Sequence, residues 1–401
     1  MNELRKNDPV ILKYEDTDKQ VGIEIDKGNV VITLPKVFNV NTTNIKQRNN
    51  SIKLLINVLE KYKQKVKQTN IIEHQDNLVD NFGDKFQFNT CIKIIQDFLL
   101  KGYYIETEAY YAKAKAGNIN FKRTIKQKQG YISNNQLVYL DFIVRKNKIT
   151  TDNPIHLIHK YIVEQCVYYV GWFFPSFQYE RNVKLPFSYK TAIQIINKEI
   201  QKTFLDHKKV LLKRLKDFLI GAEKIGENSG KLFLKVKKYE HVWEEMLRVV
   251  LGNEENKSFN SKSSWWTEDH TLIKNNSESM PDIIYTGQKY TLVLDAKHYS
   301  YSVDGVKSMP GTVDINKQIA YSLAIKHTRR REYVLDAFLL PHNNKEVFSY
   351  FGYATSEFMK NKKVHGIFVD VNSVMNRYVS NKEAKDFQNE LYRMLVEYEE
   401  K

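Results

Sequence analysis

The amino-acid sequence predicts an α+β protein of two domains, a mixed α/β N-terminal part followed by a C-terminal α/β domain whose mixed sheet is flanked by helices. Three observations carry this. The chain has 401 residues, 42 % hydrophobic and 12 % aromatic, too many for one ordinary core and enough for two. Stretches of strand-like alternation and stretches of 3.6-residue periodicity interleave along the whole length. Beyond a Gly, Asn and Ser cluster at 226–230, the order becomes helix, hairpin, helix, strand and helix. The expected division is therefore 1–192, a helical linker over 193–231, and 232–401.

Taken in order, "QVGIEIDKGNVVITL" (20–34) predicts a hairpin, with β-branched runs on both sides of Asp26-Lys27-Gly28. Over 44–68, Ile52, Leu55, Ile56, Val58, Leu59 and Tyr62 form the apolar stripe of a helix. A second helix, over 90–104, ends near Gly102. In 116–147 aromatic and basic residues interleave before two strand-like stretches, and Lys122, Arg123, Lys126 and Lys128 are candidates to meet nucleic-acid phosphates, against the reading of a solvated charged loop. The segment 155–174 reads as a core helix. Its His156 and His159 lack further ligands nearby, so ordinary core or surface histidines are expected. A long amphipathic helical region fills 193–231.

Charge and composition exclude several functions. With 62 Lys and Arg against 47 Asp and Glu, the net charge of +15 favours polyanions, nucleic acid first. Cys91 and Cys166 form no CxxC pair, so neither a disulfide framework nor a thiolate zinc site is expected. The N-terminus lacks the apolar core of a signal peptide and no apolar run reaches membrane-spanning length, which predicts a soluble cytoplasmic protein. "GENSGKL" fails as a phosphate-binding loop: Ile225 stands where the first glycine is needed and Leu232 where Ser or Thr is needed. Nucleotide hydrolysis would have to come from a partner.

The chemistry concentrates in "PDIIYTGQKYTLVLDAKHY" (281–299). A helix over 238–251 precedes it, burying Tyr239, Val242, Trp243, Met246, Leu247 and Val250 and carrying Glu240, Glu244 and Glu245. Helix 314–327, strand 333–340 and a terminal helix from about 381 follow. With Gly287 and Gln288 at the centre of the turn, Asp282 stands opposite Val293 and diagonal to Asp295. Alternation then puts Asp282, Val293, Asp295 and Lys297 on one face, while a loop one residue longer would flip Asp282 to the other. Diagonal neighbours have Cα atoms about 7–8 Å apart, close enough for two carboxylates to share one divalent cation. Without a cation the pair repels. Lys297 is suited to orient or help deprotonate an attacking water, and an exposed Asp-x-Lys at a strand end is the plain alternative.

Pro281-Asp282 followed by Asp295-Ala296-Lys297 resembles the PD-(D/E)XK nuclease superfamily. The resemblance implies a further acidic residue from the preceding helix, Glu244 with Glu240 as its rival, and Mg²⁺, or Mn²⁺, held by Asp282, Asp295 and Glu244. Gln318 and Tyr321 match a Gln-then-Tyr signature of several nuclease lineages, Gln318 holding phosphate or Lys297 or serving as an ordinary helix residue. "VGIEIDKGNVVITLP", "GNINFKRTIK", "YEHVWEEML" and "LDAKHYSYSVDGVKSMPGTVDINKQIAYSLA" are similar to the LlaJI-type restriction endonucleases, relatives of the nuclease subunit of the McrBC system. That likeness implies cleavage of double-stranded DNA, an AAA+ NTPase partner that recognises DNA, and a cognate methyltransferase. Asp295 departs from the commoner Glu of the motif. A relic core that only binds or bridges DNA, and a repair or transposition nuclease, are the alternative readings.

Overall fold

The computed structural model describes residues 10–15, 20–26, 29–69, 77–80, 87–134, 136–150, 153–222, 232–252, 261–299, 309–329, 333–381 and 385–401. The chain forms two compact units, one built from 1–81 with 231–401 and the other from 82–230.

The first unit opens with β1 (Val10–Tyr14), β2 (Val21–Asp26), β3 (Asn29–Leu34), α1 (Ile45–Thr69) and β4 (Leu78–Asp80). The expected hairpin forms, with Ile23 opposite Ile32 and Asp26 opposite Asn29; its turn residues Lys27 and Gly28 lie outside the described residues. The predicted stripe of α1, from Ile52 to Tyr62, is buried throughout.

The second unit holds α2 (Phe88–Lys101), β5 (Glu106–Ala114), β6 (Asn118–Ile119), α3 (Phe121–Gln127), β7 (Tyr131–Ser133), β8 (Gln136–Val138), β9 (Phe142–Thr150), α4 (Pro154–Val170), α5 (Tyr189–Lys202) and α6 (Asp206–Ala222). α2 stops at Gly102, whose φ of 74° suits a residue without a Cβ. α4 begins on Asn153, whose side chain accepts the Ile155 N–H at 2.7 Å, with Pro154 in the first turn. Of the core and surface placements expected for its histidines, the core one holds: His156 Nδ1 lies 2.6 Å from the Tyr104 carbonyl oxygen, and His159 Nδ1 accepts the Tyr104 N–H at 2.9 Å. Burial pushes the His159 imidazole down to about 4.

The chain then returns to the first unit with β10 (Leu232–Val236), α7 (Glu240–Leu251), β11 (Ser261–Trp266), β12 (Leu272–Ser279), β13 (Ile283–Thr286), β14 (Thr291–Ala296), α8 (Thr312–Arg329), β15 (Val334–His342), β16 (Phe348–Ser356), β17 (Met359–Asp370), α9 (Val371–Ser380) and α10 (Lys385–Glu400). Here the expected division is corrected. β10 pairs with β2, Leu232 opposite Ile25, and with β4, Leu234 opposite Asp80, so the N-terminal strands share a five-stranded sheet, β1-β3-β2-β10-β4, with a strand from beyond the expected linker. Residues 1–192 are therefore not one body. The region 193–231, expected as a linker, supplies most of α5 and all of α6 to the second unit's helices.

A second five-stranded sheet, β13-β14-β15-β17-β16, is mixed: β14, β15 and β17 run parallel while β13 and β16 are antiparallel to their neighbours. α8 connects β14 to β15, the long crossover that a parallel pair requires. Ile284, Val293, Tyr321, Ile325 and Val334 are buried together between α8 and the sheet, beside Ile319, Phe338 and Val364. The β16–β17 hairpin and the β11–β12 ribbon were not anticipated, and the single terminal helix expected is two.

Candidate functional site

The β13–β14 hairpin differs from expectation at its turn. Ile283 pairs with Leu294 and Thr286 with Thr291, so the centre of the turn is Gln288-Lys289, one residue later than Gly287-Gln288. α10 supplies the reason. The Tyr392 ring covers Gly287 so closely that a Cβ there would lie 2.1 Å from Cε2, and the Tyr392 hydroxyl accepts the N–H groups of Lys289 (2.9 Å) and Tyr290 (3.1 Å). Continuing the observed register one residue past Ile283 sets Asp282 directly opposite Asp295 rather than diagonal to it. The correction moves the pairing by two residues, and because side chains alternate with period two, Asp282 keeps its expected face. Directly opposite residues have Cβ atoms about 4.5–5.5 Å apart, nearer than the diagonal placement.

The Asp282 carboxylate accepts the Ala296 N–H at 2.8 Å, which anchors it across the strand pair. On the same residue, the carbonyl oxygen receives Arg248 Nε of α7 at 3.4 Å. Burial, then the negative charges of Asp295 and Glu244, push the Asp282 carboxyl up to about 7. Asp295 is buried at 5 % exposure, and its carboxyl is raised by that burial despite Lys297 beside it. A partly buried carboxylate and a buried one, each held back from ionising, form a place where a cation is favourable.

Lys297 extends β14, its N–H donating to the Leu339 carbonyl at 3.1 Å. Its Nζ lies 3.0 Å from Asp295 Oδ2 and 3.1 Å from Asp314 Oδ1 in the first turn of α8. Burial works against that ammonium, but the two carboxylates outweigh it and hold it above the usual lysine range. The hydroxyl of Tyr299 donates to Asp314 Oδ2 at 3.4 Å, and Lys317, one helical turn from Asp314, adds positive charge felt at Asp295.

The other expected site residues fare differently. Glu244 sits on α7 within electrostatic reach of Asp282, with its Oε2 3.7 Å from His241 Nδ1. Gln318 is 1 % exposed and is not turned to Lys297: its Nε2 donates to the Val293 carbonyl at 2.6 Å, fastening α8 to β14. Tyr321 belongs to the buried cluster beneath the same helix. Sequence reasoning missed Asp314, Tyr299, Lys317 and Arg248. For Asp314 a signal exists: it lies four residues before Gln318, so one stripe of α8 meets the sheet with both.

Among the described residues, no three His, Cys, Asp or Glu side chains converge as a metal cage. Of the expected set, Asp282 and Asp295 stand on paired strand ends, and Glu244 is felt at Asp282 through its charge. A pair still fits Mg²⁺, which keeps several waters and takes one or two carboxylates beside the oxygens of a phosphate.

Lys122, Arg123 and Lys126 belong to the second unit. All three are exposed on α3, a helix where an irregular loop had been the alternative, and Asn120 caps it by accepting the Arg123 N–H at 3.0 Å. The Arg123 guanidinium stacks over the Tyr111 ring at 3.7 Å. Around them Phe121, Ile125, Tyr131 and Ile132 are exposed. No helix among the described residues is long and apolar enough to cross a membrane.

The chain is 28 % identical, over 395 residues, to the type II restriction enzyme BsuMI component YdjA of Bacillus subtilis strain 168, a match spanning 92 % of this chain and 83 % of that protein. A looser likeness, at 13 % identity and a TM-score of 0.37, covers 90 % of this chain and 82 % of a chain in the assembly of Thermococcus gammatolerans McrB AAA+ hexamers with bound McrC. The family model of the LlaJI restriction endonucleases matches residues 20–372, taking in the second unit and the hairpin of β13 and β14 with Asp282, Asp295 and Lys297. With that span matched, the chain belongs to the LlaJI restriction endonuclease family.

Proposed function

We propose that the chain is a Mg²⁺-dependent endonuclease that hydrolyses phosphodiester bonds of double-stranded DNA within a restriction system, on a PD-(D/E)XK core. The observation that carries this is the pairing of the partly buried Asp282 carboxylate with the buried one of Asp295, and the Lys297 ammonium 3.0 Å from the latter. A divalent cation between them would offset negative charge building on the phosphate during in-line attack. Asp282, held by Ala296 N–H and Arg248, presents its carboxylate from a fixed backbone. Lys297 offers donors to the attacking water or to a phosphate oxygen. Glu244 acts at longer range by keeping negative potential at the pair, and Gln318 holds the helix that carries Asp314 against the strand that carries Asp295. Mn²⁺ would serve the same two oxygens.

An AAA+ NTPase subunit and a cognate methyltransferase are the partners this reading requires. Support for a partner is that the Bacillus relative is named as one component of its restriction enzyme. Lys122, Arg123 and Lys126 are proposed to contact DNA phosphates, positioning the duplex without reading its sequence.

The test is digestion of plasmid DNA by the purified chain, with and without Mg²⁺, NTP and the partner subunit. Asp295→Ala or Lys297→Ala should abolish cleavage while the protein stays folded. Undiminished cleavage by either variant removes the assignment, and a relic core would show no cleavage by the wild-type chain under any of these conditions.

A further inference from the structure

We infer that Asp314 is a positioning residue that gives Lys297 a second anionic partner, so that Asp295 can release the ammonium and present its oxygen to a divalent cation. This rests on the two-carboxylate reading of the site. The Lys297 Nζ is shared almost equally, 3.0 Å from Asp295 and 3.1 Å from Asp314. An ammonium seated on Asp295 Oδ2 occupies the oxygen that a cation would need, and it repels that cation as well. With Asp295 as its only anion, moving the lysine aside would leave a half-buried ammonium unpaired, a costly state. Asp314 removes that cost.

Three features suit Asp314 to the task. Its side chain is 24 % exposed against 7 % for Asp295, so it reaches water on the side that Lys297 does not cover. It stands in the first turn of the 18-residue α8, where the helix dipole favours a negative charge. The Tyr299 hydroxyl, 3.4 Å from Oδ2, steadies the oxygen that Lys297 does not use. Lys317 is the other cation near Asp295, but its Nζ lies over the Tyr321 ring, 5.5 Å from the centroid, and it makes no ion pair with Asp314 among the described residues.

The experiment is a double-mutant cycle on Mn²⁺ affinity, read in the full chain by electron paramagnetic resonance of unbound Mn²⁺, so that it needs no turnover. Asp314→Asn, which keeps shape and removes charge, should weaken Mn²⁺ binding by about 5- to 10-fold, the size of a contacting-charge coupling. In a Lys297→Met background the same substitution should change affinity by less than about 2-fold, because no ammonium remains to compete. Asp314→Glu should restore most of the affinity. Equal weakening with and without Lys297 would mean that Asp314 acts by its own charge, and it would overturn the proposal, as would an Asp314→Asn variant that binds like wild type. A wild-type chain that binds no Mn²⁺ would overturn this proposal together with the two-carboxylate reading, whereas loss of only the Asp314 effect would leave that reading standing.

Discussion

Asp282→Asn in metal-free protein is the most quantitative perturbation the site allows. An aspartate whose ordinary value is 3.8 stands near 7 here because burial, Asp295 and Glu244 all disfavour its charge. A raised acid stabilises the fold where it is protonated: that contribution is complete below about pH 4 and is lost as pH rises through about 7. At about 1.4 kcal/mol per pH unit over roughly three units, the wild-type chain should lose on the order of 4 kcal/mol between pH 4 and pH 8 from this group. Asparagine cannot ionise and its amide oxygen can still accept the Ala296 N–H, so the variant should show a much flatter profile. Asp295, freed of its facing charge, should flatten it further. Urea unfolding in chelator, followed through the fully buried Trp243, measures both profiles. Saturating Mg²⁺ at pH 8 should return stability to the wild type and not to the variant. Parallel profiles for the two proteins would refute the reasoning, because the carboxylates would then not be feeling each other.

Three further outcomes follow from the geometry. Gly287→Ala should cost about 1–3 kcal/mol, since its Cβ would meet the Tyr392 ring at 2.1 Å, and the cost should shrink in a Tyr392→Ala background when both are measured by urea unfolding. Gln318→Ala should destabilise by about 1–3 kcal/mol through the lost bond to the Val293 carbonyl, and should lower the cleavage rate with DNA affinity unchanged in a binding assay. Replacing Lys122, Arg123 and Lys126 together by Ala should weaken duplex binding uniformly across sequences and reduce the slope of log affinity against log salt by roughly 2 to 3.

Much of this architecture was legible because it is written in local pattern. The α1 stripe, the hairpin of β2 and β3 and the shared face of Asp282 and Asp295 each follow from a repeat of 3.6 or 2 residues, which neighbouring residues alone determine. Face survived even a wrong register, because the error was an even number of residues. What could not be read was set by partners distant in sequence. The turn position depends on Tyr392, more than one hundred residues away, and the division of units depends on β10 finding β2 and β4 across an intervening unit. Asp314 escaped notice for the same reason: nothing local says that the first turn of α8 will meet the end of β14. Gln318 was noticed with phosphate, Lys297 or an ordinary helix role left open, and its amide turns inward to a strand carbonyl, the usual fate of a buried polar group.

The account stands on one cation shared between Asp282 and Asp295. Crystals of the chain soaked in Mn²⁺ and measured at the manganese absorption edge test this directly. An anomalous peak within about 2–2.5 Å of carboxylate oxygens of both residues is the predicted result. A well-ordered site whose two carboxylates carry no such peak at saturating Mn²⁺, or a peak bound elsewhere on the chain, would contradict it.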